Sequence, residues 1–377
     1  MPNTRRPMTR VLFLLLLVLS LAACSREPQA PEAVRLVLIT QLTGEYADIG
    51  AVGRDATVLA CERINALGGV LTRSGRRPLD LVVIDKGTSV EGGLEAVRRA
   101  VFLEQAVLIL GGFLSRDAIP MGRVAEELRT PFISPGSTHP ETTRGRRYVW
   151  RMPFTDTFQG RVLAQFARQD LQSRRAAVLY DSAGDYNRFL AESFRQVYQE
   201  MGGAITAFEA YVTGDASWTA QLTRIAQSRP DVLFLPNYHD EVPGQARQAR
   251  ALGITATLLG GDGWEMLSGP GLEALDGSFF SSTWAPEMQA PGSREFVAAY
   301  TAAYQREPNS TACLAYDAVL LAAEALARAQ DSGPEALRQA LSEVEVLDGA
   351  GGVYRYRGGG DPRSEEHTSE LQSRLHL

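Results

Sequence analysis

VLILGGFLSRDAIPMGRVAEELRTPFIS, residues 107–134, contains one strand–helix–strand unit. Its opening apolar run lacks polar alternation, as expected of a strand covered on both sheet faces. A glycine pair follows, Ser115 stands at a helix N-cap position, and an amphipathic stretch over about 117–129 leads to the apolar run PFIS. The same order extends towards the N-terminus. VRLVLIT precedes a helix at about 53–67, and LDLVVID precedes one at about 90–104. Strands alternating with helices in this way imply an α/β fold with a parallel, doubly wound sheet.

After YVWRMPF the pattern restarts. A helix near 158–170 leads to AAVLYD, one near 189–201 to AITAFEAYV, TAQLTRIAQ to DVLFLPN, and EVPGQARQARALG to TATLLGG. GSFFSST follows, then helical stretches near 293–305, 311–329 and 334–344, and a last short strand in GGVYRYR. A chain of 377 residues exceeds what one compact core usually organises, so two α/β lobes are expected.

Bulk chemistry excludes several classes. The formal net charge is −6 and the arginines are scattered, which gives no nucleic-acid surface. Lys86 is the sole lysine and no glycine-rich run precedes it, so there is no P-loop. Two of the four histidines, His367 and His376, lie at the extreme end, leaving His139 and His239 in the body. With three scattered cysteines these make no zinc site, and no cofactor is expected. No G-x-S-x-G, H-E-x-x-H or G-x-G-x-x-G follows a strand, so the chain is not expected to be an enzyme.

The two ends read differently from the body. Arg5, Arg6 and Arg10 precede an apolar run over 11–23, too short to span a membrane but suited to a signal peptide. The run ends Leu21-Ala22-Ala23-Cys24, a lipobox-like sequence. We expect a signal peptide over 1–23, lipidation at Cys24 and a polar tether over 24–33, hence an exported, membrane-anchored lipoprotein facing the periplasm or cell exterior. Cys61 and Cys313 are read as buried free thiols, with a disulfide between them as the alternative. RSEEHTSELQS, residues 363–373, resembles an in-frame translation of a sequencing adapter, so we expect 363–377 to be an adapter-derived tail and exclude it from fold reasoning.

Ligands of open parallel sheets bind beyond the carboxyl ends of the strands. Those ends read QLTGEYADIG, GGFLSRDA and SPGSTHPET in the first half, and YDSAGDY, PNYHDE and GGDGWEM in the second. The first set supplies small hydroxyls, glycines and a helix N-terminus, which together favour a carboxylate. The second offers Tyr186, Tyr238 and Trp264 as walls and Asp262 as an acid. Each cluster alone is an ordinary turn. Their coincidence at successive strand ends suits a zwitterion, an amino acid held by both charged ends.

From about residue 34 to 362 the chain resembles the periplasmic branched-chain amino-acid and amide binding proteins, the type I solute-binding components of ABC importers. The carriers are TGEYADIGAVGRDATVLACERINALGG, VAEELRTPFISPGSTHPE, YVWRMPFTDTFQGRVLAQFA, AAVLYDSAGDYNRFLAESFRQVYQEMGG, RQARALG and LLGGDGW. The resemblance implies two Rossmann-like lobes joined by three hinge crossings. Lobe 1 would comprise 34–152 plus 280–348, and lobe 2 153–279 plus 349–362. It implies that Ser115, Gly136, Ser137 and Thr138 bind the ligand carboxylate and that Tyr186, Tyr238 and Asp262 close from lobe 2, with Asp262 on the ammonium. Tyr46, Ile49, Trp264 and Trp284 are the remaining candidates for the pocket. It further implies a monomer that delivers a small amino acid to an ABC permease. Amide, urea or aromatic-carboxylate binding, and a ligand-sensing ectodomain, are the alternatives.

Overall fold

The computed structural model describes residues 32–363 apart from 216 and 289. The signal peptide, Cys24, all but the last two residues of the tether, and the tail beyond 363 lie outside the described residues.

The first sheet contains β1 (Val34–Thr40), β4 (Leu79–Asp85), β5 (Leu108–Gly111), β6 (Phe132–Ser134) and β7 (Val149–Arg151). Between β1 and β4 stand α1 (Ala47–Ala66) and a small antiparallel hairpin, β2 (Val70–Thr72) and β3 (Gly75–Arg77). Helices α2 (Val90–Phe102) and α3 (Ser115–Glu127) make the next two crossovers. The strands run parallel in the order β4-β1-β5-β6-β7. Leu36 to Ile39 and Leu108 to Leu110 are buried on both faces, which is why their sequences show no alternation.

The second sheet repeats the plan. It follows α4 (Asp156–Gln169) with β8 (Arg175–Asp181), α5 (Asp185–Glu200), β9 (Ala204–Tyr211), α6 (Thr219–Ser228), β10 (Val232–Leu235), α7 (Val242–Ala251), β11 (Thr257–Gly260) and β12 (Phe279–Phe280). Its order, β12-β11-β10-β8-β9, is the first sheet's arrangement again, with all strands parallel. Each sheet therefore has one topological switch point, between β1 and β5 and between β8 and β10, where crossovers leave in opposite directions and a crevice opens.

The chain passes from the first sheet to the second at 152–156 and returns at 281–284. After the return, α8 (Pro291–Tyr304), α9 (Ser310–Arg328) and α10 (Pro334–Ser342) pack on the first lobe. Helix α9 is long and apolar enough to cross a membrane, yet Ala312, Cys313, Ala318, Val319 and Leu321 are wholly buried in the lobe 1 core. Cys61 and Cys313 are both buried free thiols.

Three sequence expectations change. Helix α1 starts six residues before the expected Gly53, because its glycines are contact points rather than breaks. A Cβ at Gly50 would fall 1.6 Å from the Gln41 carbonyl oxygen. The hairpin β2–β3 was not anticipated; its strands are three residues each and carry too few apolar residues to show a period. The final strand is half of a second hairpin, β13 (Val346–Gly349) with β14 (Gly352–Arg355), and residues 349–362 lie in lobe 1, not lobe 2. Ala350, Tyr354 and Tyr356 join the lobe 1 core, and the Asp317 carboxylate of α9 accepts from the N–H groups of Ala350 and Gly351 and from the Tyr354 hydroxyl. The Gly360 carbonyl then accepts from Arg151 N–H at 2.8 Å beside β7.

Candidate functional site: the cleft between two sheets

The carboxyl ends of β5, β6, β8, β10 and β11 converge on a cavity of about 60 Å³. From lobe 1 it is lined by Ile49, Phe113, Leu114, Ser115, Gly136, Thr138, Ser310, Thr311 and Leu314; from lobe 2 by Tyr186, Tyr238, His239, Asp262, Gly263, Glu265 and Met266. Among the described residues, no arginine or lysine lines it.

The lobe 1 wall is built around the start of α3. That helix has no side-chain cap, so its first N–H groups remain available beside the cavity. Ser115 is the first helical residue and is 2% exposed. The Ser137 hydroxyl donates to Ser115 Oγ at 2.9 Å and lies 2.6 Å from Thr142 Oγ1. With the Ser137 proton committed to Ser115, Thr142 supplies the second bond, and the Ser115 proton is free to point into the cavity. The relay Thr142–Ser137–Ser115 thus presents one polarised donor. Gly136 keeps the wall close: a Cβ there would meet the Phe113 carbonyl oxygen at 2.5 Å.

The lobe 2 wall centres on Asp262, at the turn after β11. Its Oδ1 accepts from the Tyr186 hydroxyl and from Gln159 Nε2, both at 2.8 Å. Tyr186 in turn accepts from Gly263 N–H at 3.1 Å and stacks on Tyr238, ring centroids 5.1 Å apart. Enclosure by protein raises the Asp262 carboxyl above its ordinary range, while the Gln159 and Tyr186 bonds pull it back. Asp156, at the first turn of α4, is 0% exposed, and neither of its oxygens has a hydrogen-bond partner. Burial first, then the neighbouring Asp262 charge, pushes Asp156 well above the usual carboxylate range. Glu265 is pushed up to about 7, chiefly by burial.

The lobes touch at the rim. Asp48 of lobe 1 meets His239 Nε2 at 2.9 Å, the Tyr46 hydroxyl reaches Asp240 at 3.5 Å, and His139 packs edge-on against Phe189. The cleft is closed.

Of the residues expected from sequence, Ser115, Gly136, Thr138, Tyr186, Tyr238, Asp262 and Ile49 are brought together on one cavity. Four are not. Ser137 is 0% exposed behind Ser115, because its hydroxyl is consumed by the relay. Tyr46 belongs to the rim, packed against Tyr238 and under Arg116, rather than to the cavity lining. Trp264 turns into the lobe 2 core, its Nε1 donating to the Leu235 carbonyl at 3.0 Å. Trp284 turns into the lobe 1 core, its Nε1 donating to Ser293 Oγ at 2.9 Å. Gln159, Asp156, Thr142 and Glu265 were missed. The first two had a signal, an acid and an amide within the T-D-T-F-Q start of a helix that follows a lobe crossing.

Two parallel-sheet lobes closing on a cavity of mixed polar and apolar lining define a two-lobed solute-binding protein. A family model described as periplasmic binding protein matches residues 33–365, and the chain belongs to that family. It is 25% identical to the leucine-, isoleucine-, valine-, threonine- and alanine-binding protein of Pseudomonas aeruginosa, covering 88% of each chain. It is 29% identical to a Leu/Ile/Val-binding protein of Rhizobium johnstonii, over 91% of this chain and 93% of that one. Among solved structures, a leucine binding protein from Thermotoga maritima superposes with a TM-score of 0.81 at 28% identity, over 88% of this chain and 93% of that one. A branched-chain amino acid transporter substrate binding protein from Streptococcus pneumoniae, solved with isoleucine, gives 0.77 at 25% identity, over 88% and 98%.

Proposed function

We propose that this protein captures a small α-amino acid outside the cytoplasm and presents it, closed inside the cleft, to an ABC permease. The carrying observation is the opposition across one cavity of an uncapped helix start with the Ser115 and Thr138 hydroxyls, and a carboxylate, Asp262, fixed by Tyr186 and Gln159. The first side offers donors and partial positive charge, the second negative charge. A ligand carboxylate fits the one and an ammonium the other. Among the described residues no arginine or lysine lines the cavity, which disfavours a diacid. A volume of about 60 Å³ corresponds to about four to six water-sized groups, which favours a small side chain over an aromatic one.

Capture is conformational: the ligand supplies contacts to both lobes and so shifts the open–closed equilibrium, with no bond made or broken. The relatives named above bind leucine, isoleucine, valine, threonine or alanine, which supports a branched side chain of that size. Lipidation at Cys24, a monomeric state and the absence of turnover belong to the same reading.

The test is calorimetric titration of the purified protein with alanine, valine, threonine and leucine, each beside its deaminated and its carboxamide analogue. Tight binding that needs both charged ends is expected. Equal binding of a deaminated analogue would remove the ammonium role of Asp262, and binding of neither series would overturn the proposal.

A further inference from the structure

Besides the acid that faces an ammonium, the cavity carries a second carboxyl. Glu265 lines it from lobe 2, and the rest of the lining includes Ser310 and Thr311 from the start of α9 and the apolar Ile49, Phe113, Met266 and Leu314. A carboxyl among methyl groups is costly unless it is hydrogen-bonded. Its protein partners are the hydroxyls of Ser282 and Ser310 and the Ser310 backbone N–H. The Ser282 hydroxyl contacts Glu265 Oε1, but the same oxygen lies 2.7 Å from the Trp284 carbonyl. A hydroxyl has one proton, so Ser282 cannot donate to both. When it serves the backbone carbonyl, Glu265 keeps its Ser310 contacts and has acceptor capacity left for a ligand donor.

Resting on the amino-acid reading above, we propose that Glu265 is a specificity-determining residue, and that it selects an amino acid whose small side chain carries a hydrogen-bond donor, a β-hydroxyl first of all. The ligand hydroxyl donates to the Glu265 carboxylate, and the branching methyl packs on the apolar lining. An aliphatic isostere fills the same space but leaves the carboxylate facing a methyl group. A site built to bond a hydroxyl rejects the analogue lacking it far better than an apolar pocket rejects one methylene.

Threonine and valine are the isosteric pair that tests this. Both are titrated calorimetrically into the wild-type protein and into Glu265→Leu and Glu265→Gln variants, with circular dichroism as the check on folding. One charge-assisted hydrogen bond predicts that wild type prefers threonine by about ten- to a hundredfold. In Glu265→Leu that preference should collapse or reverse through tighter valine binding, whereas Glu265→Gln, which keeps an acceptor, should retain part of it. Valine bound as tightly as threonine by wild type overturns the proposal and leaves the amino-acid reading standing. An unchanged ratio in folded Glu265→Leu also overturns it. Silence towards every amino acid overturns both readings.

Discussion

Replacing Asp262 by asparagine changes one atom and one charge. The remaining carbonyl oxygen can still accept from Tyr186 and Gln159, which now sit 2.8 Å from Oδ1, so the turn keeps its shape. What is lost is the negative charge facing the ligand. A hydrogen bond to a charged group contributes about 1.5–3 kcal/mol, so the dissociation constant should rise by about 10- to 140-fold. An amide N–H turned towards an ammonium would add to the loss. Stability should move the other way. Burial already holds the Asp262 carboxyl above its ordinary range, which means that its ionised form is a cost in the ligand-free protein. Removing the charge leaves the melting temperature of the ligand-free protein unchanged or raised. The variant should therefore be stable but nearly blind. Calorimetry with an amino acid and its deaminated analogue measures the first effect, and a thermal melt with and without ligand measures the second. A folded Asp262→Asn protein whose affinity lies within twofold of wild type would refute the reasoning.

Three further outcomes follow from the same geometry. Ser115→Ala and Thr138→Ala should each weaken binding by about tenfold or more by removing a donor to the ligand carboxylate, while Ser137→Ala, which acts only through Ser115, should cost a few-fold; calorimetric titration ranks them. Trp284→Ala should destabilise the protein by about 3–5 kcal/mol in denaturant unfolding, with little change in ligand affinity where it remains folded, because the ring fills the lobe 1 core. For Glu265, the folded carboxyl stands at about 7 against an ordinary value of 4.5. Its contribution to stability is therefore complete below about pH 4.5 and is lost as pH rises through 7. The stability gap between Glu265→Gln and wild type should widen by on the order of 3 kcal/mol across that window, and parallel unfolding curves would contradict it.

The sheets were legible because strands buried on both faces have to be apolar throughout, and that signature survives in VRLVLIT, VLIL and VLFL without any partner being known. The site was legible as far as topology governs it: a side chain at the carboxyl end of a parallel strand is near the crevice whatever its rotamer. Which way it turns is another matter. Ser115 and Ser137 read alike in sequence, yet one hydroxyl faces the cavity and the other is spent holding it. Trp264 and Trp284 stand at suitable positions, but each indole N–H finds its partner inside a lobe, and the ring follows. Gln159 bonds Asp262 across a long sequence separation, so the T-D-T-F-Q start marks its presence at a helix start but not its partner. Sequence places the lobe boundary at 348/349, inside the hairpin, because the anchor that holds 349–355 in lobe 1, Asp317, lies on a helix that otherwise reads as pure core.

The rim contacts bear on time as well as on affinity at equilibrium. With Asp48 on His239 and Tyr46 on Asp240, a trapped molecule cannot leave until the lobes part, so its residence is governed by how often that seam opens. A change at the seam alters dissociation while every group that touches the cargo stays in place. Weakening it also lowers the fraction of protein poised to bind, and the observed affinity falls by that fraction. The seam therefore acts as a clock on handover: too tight and the cargo is carried past its destination, too loose and it is lost on the way.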